Sequence, residues 1–184
     1  MDREADFMNL WNEWSDETSD CLVTGNKRLM DYLTTGGFFT APASTKYHGA
    51  FNGGLYEHSK AVTLRLMSLT KKLDLRWQRP ESPFIVGMFH DLCKCDQYIQ
   101  KTGENGSPVF EYNTKTLLKG HGVKSVIILS QFILLTEEEM LCIRYHMGAY
   151  ETDDWDEYDR AIRKYPNVLW THHADMLASK VYDV

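Results

Sequence analysis

The stretch Ser82-Pro83-Phe84-Ile85-Val86-Gly87-Met88-Phe89-His90-Asp91-Leu92 is apolar almost throughout until it ends on a histidine and an aspartate. Ser82 followed by Pro83 has the form of an N-cap and a first helical residue, so the stretch is predicted to be a buried helix with His90 and Asp91 near its end. Upstream, Leu55, Val62, Leu66, Leu69 and Leu73 recur at steps of three to four, the period of a half-buried helix, and His58 falls in its first turn. Downstream, YIQK and VFEY flank TGENGSP, which predicts a small β-hairpin between Cys95 and Leu118. Helical periodicity returns from His121 to Leu135, and Thr136 with Glu139 forms a capping box for a helix leading to His146. Tyr158 to Lys164 and a last helix from about Val168 to Val181 complete that half. At the other end, Phe7, Leu10, Trp11 and Trp14 predict an amphipathic helix, and Leu22, Leu29, Met30 and Leu33 a second helical stretch before Gly36-Gly37. Residues 36–54 read as a loop. The fold class expected is all-α, a helical bundle with a small β-hairpin insertion.

The 184 residues suit one domain, with residues 1–35 packing on a core that spans 53–175. Apolar residues at 43% and charged residues at 25% exclude a disordered chain and a fibrous repeat. The net charge of −6 weighs against a long polyanion held through its phosphates and favours a small phosphorylated partner. No run of eighteen apolar residues occurs, so no membrane span is expected. The acidic first twenty residues lack the basic start and apolar run of a secretory signal. Cys21, Cys93, Cys95 and Cys142 have no C-x-x-C spacing, and a reducing, cytoplasmic location is the expectation. Cys93 and Cys95, a C-x-C pair, read as small buried thiols in preference to metal ligands.

His58, His90, His121 and His146 are scattered over four predicted helices or their ends, which matches no zinc finger. Ligands on separate helices are how a bundle builds a metal site in its interior, and Asp175 in HHADMLASK adds one from the last helix. On a continuous helix, side chains at His90 and Asp91 would diverge by about 100°, yet an ion above the bisecting line reaches both. A single histidine in a helical protein is more often a hydrogen-bonded core or surface residue, and His172 and His173 are read that way.

The segments GGLYEHS, MFHDLCK, LLKGHG, RYHMG and HHADMLAS, in that order from Gly53 to Asp175, resemble the HD-domain metal-dependent phosphohydrolases. The details are most similar to HD nucleases and nucleotide hydrolases with a Gly-Gly-Leu-x-x-His start. Two departures stand out: HDLCK replaces the usual HD-x-G-K, and RYHMG has one histidine where many relatives have two. The resemblance implies an HD-domain helical bundle in which His58, His90, Asp91 and Asp175 hold one metal. Asp91 then bridges to a second metal completed by His121 and His146. Four imidazoles and two carboxylates suit manganese, iron, nickel, cobalt or zinc, as one or two divalent ions, better than calcium or magnesium. Such ions would activate water for phosphate-ester hydrolysis, a phosphodiesterase activity included, on a nucleotide or a short single strand.

Lys94, three residues after Asp91, reads from spacing equally as a surface lysine or a phosphate contact, and the resemblance implies that it holds a substrate phosphate; Lys124 is a second candidate contact and Arg144 a poorer one. The resemblance gives His48 a role at the substrate or in supporting a ligand. Tyr150 and Trp155 are candidates for stacking on a base, though packing is the commoner role for each. Two rival readings come from other classes. The same ligand set resembles HD-fold diiron oxygenases of small polyols or phosphonates, and the bundle could be a non-catalytic metal- or nucleotide-binding module. A homodimer is compatible with the aromatic N-terminal helix.

Overall fold

A computed structural model describes residues 2–14, 26–103, 105–150 and 154–182. Within them the chain forms eight α-helices and a two-stranded antiparallel sheet, a mostly helical fold with a small hairpin. The helices are α1 (Arg3–Trp14), α2 (Asn26–Thr35), α3 (Gly54–Leu73), α4 (Ser82–Phe89), α5 (Gly122–Leu129), α6 (Glu137–Arg144), α7 (Trp155–Lys164) and α8 (Asn167–Met176). A 3₁₀ turn, Leu92–Cys95, follows α4, and a π-helical turn, Leu177–Val181, extends α8. No helix among the described residues is long and apolar enough to cross a membrane.

Helices α3 and α4 pack tightly against each other, and α8 lies against both α3 and α6. The α3–α4 crossing depends on Gly87, where a Cβ would come within 2.6 Å of the Thr63 Cα. With only hydrogen at Gly87, the two backbones approach closely enough to bring His90 beside His58. All eight residues of α4 are buried, which accounts for its unbroken apolar sequence. An aromatic cluster seals one side: Phe7 of α1 contacts Phe38, Phe39 and Phe89, and Trp11 contacts Phe84 edge-on. Asp6 fastens α1 to α3, accepting hydrogen bonds from Tyr56 Oη and Lys60 Nζ, each at 2.6 Å.

The expected capping box is present: Glu139 N–H donates to Thr136 Oγ1 at 3.2 Å, and Thr136 N–H donates to Glu139 Oε2 at 2.9 Å. Ser82 does not cap α4. The cap position is Glu81, and Ser82 Oγ instead donates to Glu139 Oε1 at 2.8 Å, where Arg79 also binds at 2.7 Å. Glu139 is fully buried, and three partners compensate its desolvation, so a carboxylate on α6 locks the entry of α4. The hairpin pairs β1 (Tyr98–Thr102) with β2 (Pro108–Tyr112), placing Tyr98 opposite Tyr112 and Gln100 opposite Phe110. The predicted helix from His121 to Leu135 is shorter, ending at Leu129. Cys21, Leu22 and the first part of the acidic connector, residues 151–153, lie outside the described residues.

Candidate metal centre

His90 is the residue that caps the C-terminal end of α4, and the chain leaves helical geometry at Asp91, whose φ and ψ are −108° and 21°. That break turns the Asp91 carboxylate toward the same point as the His90 ring. His90 Nε2 and Asp91 Oδ2 are 3.4 Å apart, and His58 Nε2 from α3 is 3.3 Å from His90 Nε2. Asp175, in the last turn of α8, brings its Oδ1 to 3.1 Å from His58 Nε2. On the other side of the carboxylate, His146 Nε2 is 3.4 Å and His121 Nδ1 3.6 Å from Asp91 Oδ1. Residues 117 positions apart in the chain, His58 and Asp175, thus meet in one buried cluster around the two oxygens of Asp91.

Two of the rings are oriented by one device. His90 Nδ1 lies 2.8 Å from the Gly87 carbonyl and His146 Nδ1 lies 2.7 Å from the Ile143 carbonyl, both acceptors from a last helical turn. A carbonyl can only accept, so Nδ1 carries the proton in each and Nε2 presents its lone pair inward, the tautomer a metal requires. His146 Nε2 is buried without a hydrogen-bond partner, 3.4 Å from Asp91 Oδ1. Burial of this kind is costly unless a partner arrives.

The electrostatics point the same way. Burial pushes the Asp91 carboxyl up, but the Lys94 ammonium at 2.6 Å and then His90 overcome it, holding the group well below the usual range. Burial also opposes ionisation of Asp175, and His58 reverses that by hydrogen bond and charge. Lys94 loses solvation, yet Asp91 keeps its pKa raised. Burial lowers His90, whereas at His146 the pull of Asp91 outweighs burial and raises the pKa. Two carboxylates face one ammonium, and the remaining negative charge draws a proton toward His146, as it would draw a cation.

Three sets of ligand atoms lie close enough to hold an ion: His58, His90 and Asp175; His90, Asp91 and His146; and Asp91, Cys93 and His121. All six residues expected as ligands are therefore brought together, and the donors fit a divalent transition metal in number and charge, with Nδ1 of His90 and His146 already engaged away from the centre. Cys93 is the addition. Read from sequence as an ordinary buried thiol, it places Sγ 3.1 Å from His121 Nδ1 and 4.0 Å from Asp91 Oδ1. Burial, then the Asp91 charge, pushes this thiol well above its ordinary pKa.

A cleft of about 340 Å³ opens onto Asp91, His121 and Asp175, and Lys94, His48, Tyr98 and His172 also line it. The loop bearing His48 reaches the site because Gly54 lacks a Cβ, which would lie 1.9 Å from the Gly49 carbonyl oxygen. His48 and His58 ring centroids are 4.9 Å apart, and burial, reinforced by His58 and Lys94, lowers the His48 pKa to about 4. His48 is thus neutral near pH 7 and can act as a polar contact without adding charge. Lys124 sits elsewhere: it is ion-paired with Asp96 and borders a neighbouring cavity with Lys119 and His121. Arg144 binds Glu157 at 3.0 Å through two nitrogens, and Trp155 packs edge-on against Tyr158. The Tyr150 side chain lies outside the described residues. His172 was missed as a cleft residue, although it precedes Asp175 by three and so shares its helical face. No protein-family model, curated protein or solved structure matches the chain.

Proposed function

We propose that this chain is a metal-dependent phosphohydrolase of the HD type, cleaving a phosphate ester of a nucleotide or short oligonucleotide. The observation that carries the reading is the convergence on Asp91 of His58, His90, His121 and His146, with Asp175 joined to them through His58 and with Nδ1 of His90 and His146 turned outward to backbone carbonyls. His58, His90 and Asp175 would hold one ion, and Asp91, His121 and His146 a second. A divalent transition-metal ion bound there supplies Lewis acidity and a water acidic enough to attack phosphorus near neutral pH.

The protein's own groups account for the rest. Lys94, protonated and on the cleft wall, offers the donor that a phosphoryl oxygen needs as charge builds on it. Neutral His48 on the opposite loop can accept or donate one hydrogen bond to the same group. The cleft volume suits a nucleotide-sized ligand, at the small end of the usual range for ligand pockets. Tyr98 and Met147 supply apolar surface for a sugar or base. Long nucleic acid is disfavoured by the net charge and by the engagement of Lys124 and Arg144 in ion pairs.

Metal analysis of purified protein, followed by a release assay over nucleoside monophosphates, cyclic dinucleotides and short single strands, tests the proposal. Phosphate or nucleotide release by wild type, abolished in Asp91→Asn, is the expected result. Oxygen consumption by iron-loaded protein on a small polyol or phosphonate, with every phosphoester left intact, would replace it with the oxygenase reading.

A further inference from the structure

We infer that Cys93 is a metal ligand, a thiolate completing the ion position between Asp91 and His121. The inference rests on the metal centre proposed above and concerns one residue that the HD pattern does not use. In tetrahedral sites with metal–nitrogen bonds of about 2.0–2.1 Å and metal–sulfur bonds of about 2.3 Å, neighbouring donor atoms lie roughly 3.3–3.6 Å apart. The atoms around Asp91 Oδ1 approach this spacing: His146 Nε2 at 3.4 Å, His121 Nδ1 at 3.6 Å and Cys93 Sγ at 4.0 Å, with Cys93 Sγ 3.1 Å from His121 Nδ1. Cys93 is fully buried, so its sulfur faces these groups rather than solvent. The unpartnered Nε2 of His146, 3.4 Å from the same Asp91 Oδ1, marks a missing partner beside this position.

The backbone explains why Cys93 can reach. Residues Leu92–Cys95 form a 3₁₀ turn, and the Cys93 N–H donates to Ser125 Oγ of α5 at 3.0 Å. That bond holds the turn against the helix that begins beside His121. A glycine at residue 93 would leave an oxygen–nitrogen set, whereas cysteine makes this position softer than the one formed by His58, His90 and Asp175. On binding, the thiol gives its proton to solvent as the metal–sulfur bond forms. The two positions therefore differ in metal preference, the Cys93 position favouring zinc or cobalt over manganese.

Cobalt(II) titration of the metal-free full-length protein tests this by absorption. Wild type is expected to develop a thiolate-to-cobalt charge-transfer band in the near ultraviolet, lost in Cys93→Ser and retained in Cys95→Ser. Cys93→Ser is also expected to reduce the preference for zinc over manganese by roughly tenfold or more, at least the loss seen when an outer partner of a ligand is removed. Cobalt bound by wild type without the band, or a band that survives in Cys93→Ser, overturns the thiolate and leaves the hydrolase reading standing. Folded wild type that retains no cobalt, zinc or manganese overturns both. Should Cys93→Ser fail to fold, X-ray absorption of zinc-loaded Cys95→Ser decides. A sulfur neighbour at about 2.3 Å supports the inference, and a shell of nitrogen and oxygen alone refutes it.

Discussion

Asp91 and Lys94 form the most consequential pair of side chains. Their contact at 2.6 Å is almost fully buried, so removing the ammonium leaves a carboxylate without its nearest cation. Breaking a buried pair from one side typically costs about 3–5 kcal/mol. Metal-free Lys94→Met should therefore melt well below wild type, and added metal should recover much of the difference by supplying charge to Asp91. If Lys94 contacts phosphate, turnover by the metal-loaded variant should fall by roughly 10²–10³, the usual effect of losing one transition-state donor. Metal content and single-turnover rates measured together separate the two effects. His90→Ala, by contrast, should abolish metal retention and activity together. Its circular dichroism should stay helical, because α4 buries a full apolar run besides this ring.

Helices position these groups through close backbone contact. Gly87→Ala places a methyl 2.6 Å from the Thr63 Cα, and the clash is with backbone that cannot rotate aside. Overpacking of this kind costs about 1–3 kcal/mol, read as a lower urea midpoint. It should also weaken zinc binding, since separating α3 from α4 lengthens the 3.3 Å gap between His58 and His90. The α4 helix itself was legible in SPFIVGMFHDL, as were the hairpin in YIQK and VFEY and the Thr136–Glu139 cap, because each rests on local chemistry. The residues that gather around Asp91 were legible as a pattern of residue types in order. What local reading missed depends on partners far along the chain. Ser82 looks like a cap until Glu139 arrives to take its hydroxyl, and Lys124 looks free until Asp96 claims it. Cys93 looks like an ordinary buried thiol until His121 is folded against it.

At the scale of the molecule, pH acts on the same groups that would hold a metal. Asp91 and Asp175 have folded-state pKa values below their unfolded ones. Their contribution to stability is present above the unfolded carboxylate pKa of about 4 and disappears as pH falls through the depressed folded values. His90, lowered by burial, also favours the fold at higher pH, its contribution decreasing as acid protonates the unfolded ring. His146 has the opposite sign: its raised folded pKa favours the fold in acid, an advantage lost as pH rises through that value. Metal-free protein is thus expected to lose thermal stability steeply below about pH 4. A ligand that binds only the folded state, present at 100 times its Kd, adds about 2.7 kcal/mol, so zinc should raise the melting temperature near pH 7 and a chelator should reverse it. The increment should shrink in acid, where protons compete for the same nitrogens and oxygens; differential scanning fluorimetry across pH reads both.

The abrupt end of α4 at His90 has a consequence for anyone transplanting this centre. His90 Nε2 and Asp91 Oδ2 come within 3.4 Å of each other although consecutive, because coiling stops between them at the irregular backbone of Asp91. Copying the histidine and aspartate onto an uninterrupted rod would aim them along different radii. A graft that carried the joint along with the side chains would keep this close approach, and a substitution that smoothed the joint would widen it without touching a single donor atom.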